Sequence, residues 1–219
     1  MSLVFHHGHG SPYSWRVWLA LEFLRVPYEL KVVSFSAKDQ LKPEFLALNP
    51  RHQVPTIVDD GFALWESTVI LEYLDERFPG PGGARRLYPG TPAERARIRR
   101  LAREDEQYLD AEGLTPVYDE VFHKSGDEAP DAARIERGRK RLGEELAYFA
   151  RELRGAFLAG DAPTAADFVL YPEIAYVKRI DFRKPETRLA ALLPGPIVEW
   201  AKRIESLPYF DKTFPPHWR

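Results

Sequence analysis

The chain has 219 residues, 44% of them hydrophobic, with 31 Lys and Arg against 33 Asp and Glu, a formal net charge of −2, and no cysteine. That length fits one large or two small domains with a real core, and the near balance of charge argues against a polyanion-binding surface. Zero cysteines excludes disulfide frameworks, Cys-ligated zinc, iron–sulfur clusters and any protein-thiol nucleophile, so sulfur chemistry has to come from a substrate. The first ten residues lack a basic start followed by a long apolar segment, and charge interrupts every apolar run short of a membrane span. A cytoplasmic protein without a membrane partner is expected.

Residues 2–5 read as a strand that leads into a His- and Gly-rich turn. From 14 to 24, Trp15, Val17, Trp18, Leu21 and Leu24 share one broad helical face, with Arg16, Glu22 and Arg25 off it, and Pro27 stops the helix. Residues 28–33 read as a second strand, 42–48 as a short helix, and 56–59 with 62–65 as two strands joined by Asp60-Gly61, a two-residue hairpin signal. A helix over 67–78 ends before Pro79-Gly80. The order βαβ, α, ββα predicts an α/β domain over residues 1–79.

Residues 80–90 are dense in Pro and Gly and suit a linker. Beyond it, 91–219 reads as all-helical. Thr91-Pro92-Ala93-Glu94 carries an N-cap, a first-position proline and a third-position acid, and opens a long helix. Further helices are expected over 131–153, 164–178 and 196–206, with Pro208 closing the last. A cleft is expected where the two domains meet.

Three clusters carry possible chemistry. In Gly10-Ser11-Pro12-Tyr13-Ser14-Trp15-Arg16-Val17, Ser11 stands where free backbone N–H groups and the helix dipole favour an anion. Ser11 also reads as a plain N-cap, and the two roles coexist, since a hydroxyl can accept from a helix N–H while donating its own proton to a thiolate. Ser14 and Tyr13 are the competing donors. In Asn49-Pro50-Arg51-His52-Gln53-Val54-Pro55, a cis bond at Pro55 would expose neighbouring backbone to an extended peptide, although the default for these residues alone is an ordinary trans proline at a strand entry. In Trp65-Glu66-Ser67-Thr68, the helix start and the Ser67 hydroxyl can hold a carboxylate and Glu66 an ammonium, or the segment is simply a capped helix.

The first 80 residues resemble the thioredoxin-like domain of glutathione transferases, and the remainder resembles their helical domain. The resemblance rests on Ser-Pro-Tyr-Ser-Trp-Arg-Val at 11–17, Leu-Asn-Pro-Arg-His-Gln-Val-Pro at 48–55, Glu-Ser at 66–67 and Gly-Asp-Ala-Pro-Thr-Ala-Ala-Asp-Phe at 160–168. It implies a serine-type cytosolic enzyme of theta, phi or zeta character, with glutathione as co-substrate, an apolar electrophile as second substrate, and a homodimer. By the same resemblance Ser11 activates the glutathione thiol, the Val54 backbone pairs with the cysteinyl unit, and Glu66 with Ser67 holds the γ-glutamyl end. Gln53, Gln40 and Lys42 are candidates for the glycine end, and Pro55 has a structural role. Thr164 and Asp167 form a capping box, also structural, with Pro163 and Phe168 placed as a staple. Tyr13 replaces the cysteine of the zeta-class motif, which argues against a maleylacetoacetate isomerase. A non-catalytic glutathione-binding protein and a glutathione-dependent isomerase or dehalogenase are the alternatives.

A thiol with pKa about 8.5 is only a few per cent ionised at pH 7, and lowering it by two units requires about 2.7 kcal/mol. One hydroxyl bond to an anion, about 1.5–3 kcal/mol, plus about 0.3–1 from a helix end, has that size. His6, His7 and His9 lack a further ligand at recognisable spacing, so no metal is expected. The arginines at 95, 97, 99, 100 and 103 run straight into Glu104, Asp105 and Glu106, so no nucleic-acid partner is expected either. Tyr108, Tyr118, Phe122, Tyr176 and Trp218 are candidates for an apolar pocket or for core, and the 208–219 tail for a cover over the cleft.

Overall fold

A computed structural model describes residues 3–123 and 129–218. Ser2 of the expected first strand and Arg219 of the expected helical domain lie outside the described residues. Strand β1 (Leu3–His7) runs beyond its apolar start because His6 and His7 continue the ladder, opposite Lys31 and Val32 of β2 (Tyr28–Val32). With β3 (Thr56–Asp59) and β4 (Phe62–Trp65) they form one sheet in the order β2-β1-β3-β4. The β1/β2 pair is parallel and the other two pairs are antiparallel. A parallel pair needs a crossover, supplied by helix α1 (Pro12–Leu24). Asp60 and Gly61 both take positive φ, 48° and 88°, as a tight hairpin between right-twisted strands requires.

Helix α1 begins at the Ser11 cap and ends on Arg25 in the left-handed region, φ 57°, with the Val26 N–H returning to the Leu21 carbonyl, two residues before Pro27 is reached. Arg16, expected off the buried face, is fully buried beside Trp15 and Val17. The reason is that α1 has neighbours all round. Trp18 packs on His7 of β1, 4.6 Å between ring centres, and α3 (Ser67–Arg77) lies alongside. The C-terminal segment, which contains α9 (Phe210–Thr213), covers Trp15: its indole N–H donates to Thr213 Oγ1 at 3.0 Å and its ring meets Phe214 edge-on. A short helix α2 (Pro43–Leu46) buries Phe45 against Val33 and Val54.

Part of the expected linker is fixed. Asp75, buried on α3, accepts the backbone N–H groups of Leu87 and Tyr88 and the Arg86 guanidinium at 2.6 Å, so Leu87 and Tyr88 become core. Residues up to Pro89, together with those from Leu207 on, form one compact unit, and Gly90–Ser206 forms another.

In the second unit, α4 (Pro92–Glu104) opens on a Thr91–Glu94 capping box. The run continues through wide i→i+5 turns at Asp105–Leu114, a regular turn α5 (Thr115–Tyr118) and wide turns again at Asp119–His123. Gly113 in the first of these lets α6 (Ala132–Glu152) come close, since a Cβ there would stand 3.1 Å from the Leu142 Cα. Helix α7 (Ala165–Arg183) runs past the expected end at 178 and precedes α8 (Gly195–Glu205). The rings of Tyr118, Phe122 and Tyr176 cluster within this unit. Among the described residues no helix is long and apolar enough to cross a membrane.

Candidate active site

The three loops singled out above meet in the first unit. Ser11 caps α1: its Oγ accepts from the Ser14 N–H at 3.2 Å, and Pro12 occupies the first helical position. The Ser11 N–H donates to the Gly8 carbonyl at 3.1 Å, and the Gly8 N–H donates to Ser14 Oγ at 3.3 Å. Each hydroxyl thus accepts one backbone N–H and keeps a proton to donate, but Ser14 is fully buried beneath the turn whereas Ser11 is half-buried and open to a ligand. Tyr13 is 38% exposed, with the Arg16 guanidinium 4.8 Å above its ring.

Gly8 joins this loop to the second cluster. A Cβ on Gly8 would stand 2.8 Å from Val54 Cγ2 and 2.9 Å from the Phe35 ring, so only glycine allows this approach. The Val54–Pro55 bond is cis. Val54 is buried, while the Gln53 side chain is exposed and its carbonyl accepts from Asn49 Nδ2 at 2.9 Å and from Thr56 Oγ1 at 3.3 Å.

Arg16 joins the loop to the third cluster. Its Nη1 donates to Ser67 Oγ at 3.4 Å, and Ser67 is buried at the first position of α3. Glu66, the exposed residue before it, sits at φ 68°. That positive φ, with ψ 105°, is uncommon for a residue with a side chain and falls at the passage from β4 into α3. Arg16 and Gly8 were not singled out from sequence. A glycine in the His-Gly-His-Gly run marks the close approach, whereas the burial of Arg16 had no local sign.

Gln40 lies in the short turn before α2, half-buried, with its Oε1 buried and without a hydrogen-bond partner. Lys42 pairs with Asp39 at 2.6 Å, and this ammonium, with the Ser34 N–H, holds the Asp39 carboxyl below the usual carboxylate range. His7 Nε2 lies 3.1 Å from His9 Nδ1, and burial, with His9 beside it, pushes His7 down to about 3. His9 faces His217 at 6.5 Å between ring centres. Among the described residues no three His, Asp or Glu are grouped to hold a metal ion.

Thr164 and Asp167 belong to the other unit. Asp167, completely buried, accepts the Leu158 N–H and the Trp200 indole N–H on one oxygen, both at 2.9 Å, and the Thr164 N–H and hydroxyl on the other, both at 2.8 Å. This network fixes the start of α7 and the loop before it.

The family model for the glutathione S-transferase N-terminal domain matches residues 10–77, and that for the C-terminal domain matches 117–208. A maleylacetoacetate isomerase of Rhizobium meliloti (strain 1021) is 38% identical over 78% of this chain and 79% of its own. Glutathione S-transferase D7 of Drosophila melanogaster is 31% identical over 90% of this chain and 86% of its own. Among solved structures, a glutathione S-transferase from the Antarctic clam Laternula elliptica superposes with a TM-score of 0.79 at 28% identity, covering 100% of this chain and 94% of that one. The α/β unit with its four-stranded mixed sheet is the thioredoxin-like domain of that fold, and the helical unit follows it. The chain belongs to the glutathione S-transferase family, whose substrate is glutathione.

Proposed function

We propose that the Ser11 hydroxyl donates a hydrogen bond to the sulfur of bound glutathione and holds it as a thiolate for attack on an apolar electrophile. The observation that carries this reading is the Ser11 cap: its oxygen takes one helix N–H at 3.2 Å and its proton stays available at the positive end of α1. The neighbouring Ser14 hydroxyl is fully buried under the turn. In the reaction the sulfur electron pair forms a bond to an electrophilic carbon, and the displaced pair leaves with a leaving group or moves into a conjugated acceptor. The proton lost from the thiol goes to solvent.

Glutathione is oriented, on this reading, by the Val54 backbone at the cysteinyl unit and by Glu66 with Ser67 at the γ-glutamyl end. Gln53, Gln40 and Lys42 serve the glycine end. The direct links from Gly8 to Val54 and from Arg16 to Ser67 support the Val54 and Ser67 part of this assignment. On this reading the unit formed by residues up to Pro89 and those from Leu207 on is the glutathione-binding domain, and Gly90–Ser206 is the helical domain. A cytoplasmic homodimer completes the reading, supported by Phe62 and Val69, apolar and about half exposed at 52% and 50% on β4 and α3.

Titrating the thiolate absorbance of bound glutathione tests the mechanism. An apparent pKa near 6.5, against about 8.5 for a free thiol, is expected. A bound thiol that titrates like the free one overturns it. A second reading, glutathione-dependent isomerisation, is favoured by the 38% identity to a maleylacetoacetate isomerase, despite Tyr13 standing where the zeta-class motif has cysteine. It shares the Ser11 step and differs in releasing glutathione unconsumed, so turnover of maleylacetoacetate at catalytic glutathione levels distinguishes it from transfer.

A further inference from the structure

The sheet has a second face that the glutathione reading touches only at Lys42. Phe5 of β1 faces the Tyr28 ring edge-on, while its neighbours Val4 and His6 turn to the opposite side of the pleat. The register sets Val58 of β3 opposite Val4 and Lys31 of β2 opposite His6. Helix α2 roofs part of this face, and beneath it lies a cavity of about 520 Å³ floored by Val4, His6 and Val58 and walled by Phe45 and Leu48. Of the residues assigned to glutathione, Lys42 stands on its rim, while Ser11, Gln53, Val54, Glu66 and Ser67 do not line it.

We propose that this cavity is a second binding site, for a small aromatic monocarboxylate whose apolar body lies on Val4, Phe45 and Val58 and whose carboxylate meets the Lys31 ammonium. The volume falls within the range of small-molecule sites, and apolar walls with a few polar groups are their usual lining. His6 and Phe45 already form an edge-to-face pair, 5.7 Å between centres, a wall against which a planar ring stacks. Burial and the neighbouring Lys31 hold the His6 imidazole toward its neutral form, so the floor itself adds no competing charge.

Four charged side chains line the cavity: Lys31, Asp39, Lys42 and Glu44. Asp39 is engaged by Lys42 at 2.6 Å and by the Ser34 N–H at 2.9 Å. Lys31 is half exposed and reaches Glu29 only at 3.6 Å, which leaves ammonium protons for a ligand carboxylate. One carboxylate is thus matched by Lys31, and a second negative charge is disfavoured by Asp39 and Glu44 in the same lining.

Calorimetric titration of the full chain with 2-naphthoate, under saturating glutathione, tests the proposal, together with NMR of the His6 imidazole. The expected result is one saturable site with a shift of the His6 resonances. Lys31→Glu, a surface change outside the glutathione site, should weaken binding about tenfold or more while leaving glutathione-dependent turnover unchanged, and 2-naphthylmethylamine should bind at least about tenfold more weakly than the acid. Val58→Phe, which fills the floor, should abolish binding. Absence of saturable binding overturns the proposal. So does naphthoate binding that leaves His6 unshifted or ignores Lys31→Glu, because the ligand then occupies the electrophile site. None of these results depends on Ser11.

Discussion

Replacing Ser11 by alanine removes one hydroxyl and leaves α1 in place, which makes its consequence calculable. A hydrogen bond from a hydroxyl to an anion contributes about 1.5–3 kcal/mol, and 1.36 kcal/mol corresponds to one pKa unit, so the bound thiol should rise by about 1–2 units. The helix end remains and retains its own contribution of about 0.3–1 kcal/mol. If the wild-type thiol titrates near 6.5, about three quarters of it is ionised at pH 7; at pKa 8 about one tenth is, a loss of about eightfold in nucleophile. The lost Ser11–Ser14 cap also costs about 0.5–2 kcal/mol of stability. The pH profile of kcat separates the two effects, because a cap defect moves the melting temperature and a sulfur contact moves the inflection. Ser14→Ala is the control. Its oxygen serves Gly8, so the variant should lose stability while keeping the inflection within about 0.3 units. An unmoved profile in Ser11→Ala, with a raised one in Ser14→Ala, would transfer the role to Ser14 and refute the reasoning.

Four other substitutions read different parts of the structure. Ser67→Ala and Glu66→Ala should each raise the KM for glutathione about tenfold or more with kcat largely kept, and a kcat loss at constant KM would reject a binding role. Asp167→Asn puts an amide NH2, a donor, where one oxygen now accepts from two donors; two charge-assisted bonds of about 1.5–3 kcal/mol each are lost, which at this chain length lowers the melting temperature by about 6–24 °C, and a drop of under about 2 °C contradicts the four-donor network. His7, pushed down to about 3 by burial, stays neutral in the folded protein while the unfolded chain takes up its proton below about 6.5. Stability therefore falls as pH drops through that window, by up to about 2 kcal/mol between pH 6.5 and 5, and urea unfolding at the two pH values should show His7→Phe losing that increment less. Identical pH dependence in the variant would place the acid sensitivity elsewhere.

Local signals were legible where a few adjacent residues decide the structure. The β3 and β4 limits follow from short apolar runs either side of Asp60-Gly61, and the α1 and α4 starts from Ser11-Pro12 and Thr91-Pro92. What stayed hidden depends on distant chain. Arg16 looks like a solvent-facing residue until Trp15 is covered by a segment whose Thr213 lies 198 positions away. The wide turns at Asp105–Leu114 leave no mark in a 3.6-residue pattern, and they fit the close packing that Gly113 allows against Leu142. The cavity under α2 draws on three strands and a helix, so its lining becomes visible only once the β1–β2 and β1–β3 registers are known.

The tail also bears on how a lone serine can act. A hydroxyl and a helix end stabilise an anion strongly only when they are held in place before the charge arrives, because a mobile dipole spends part of its effect on reorientation. Helix α1 is held in that way from three sides: by Trp18 on His7, by Arg16 to Ser67, and by Trp15 to Thr213, with Lys212 reaching Glu22 at 2.6 Å. Gly10, at φ 81° just before Ser11, has the His217 imidazole 2.9 Å from where a Cβ would stand, so the C-terminal segment reaches the serine turn itself. If Ser11 holds the thiolate as proposed, that role depends on the segment around Thr213, Phe214 and His217 as packing for the first helix.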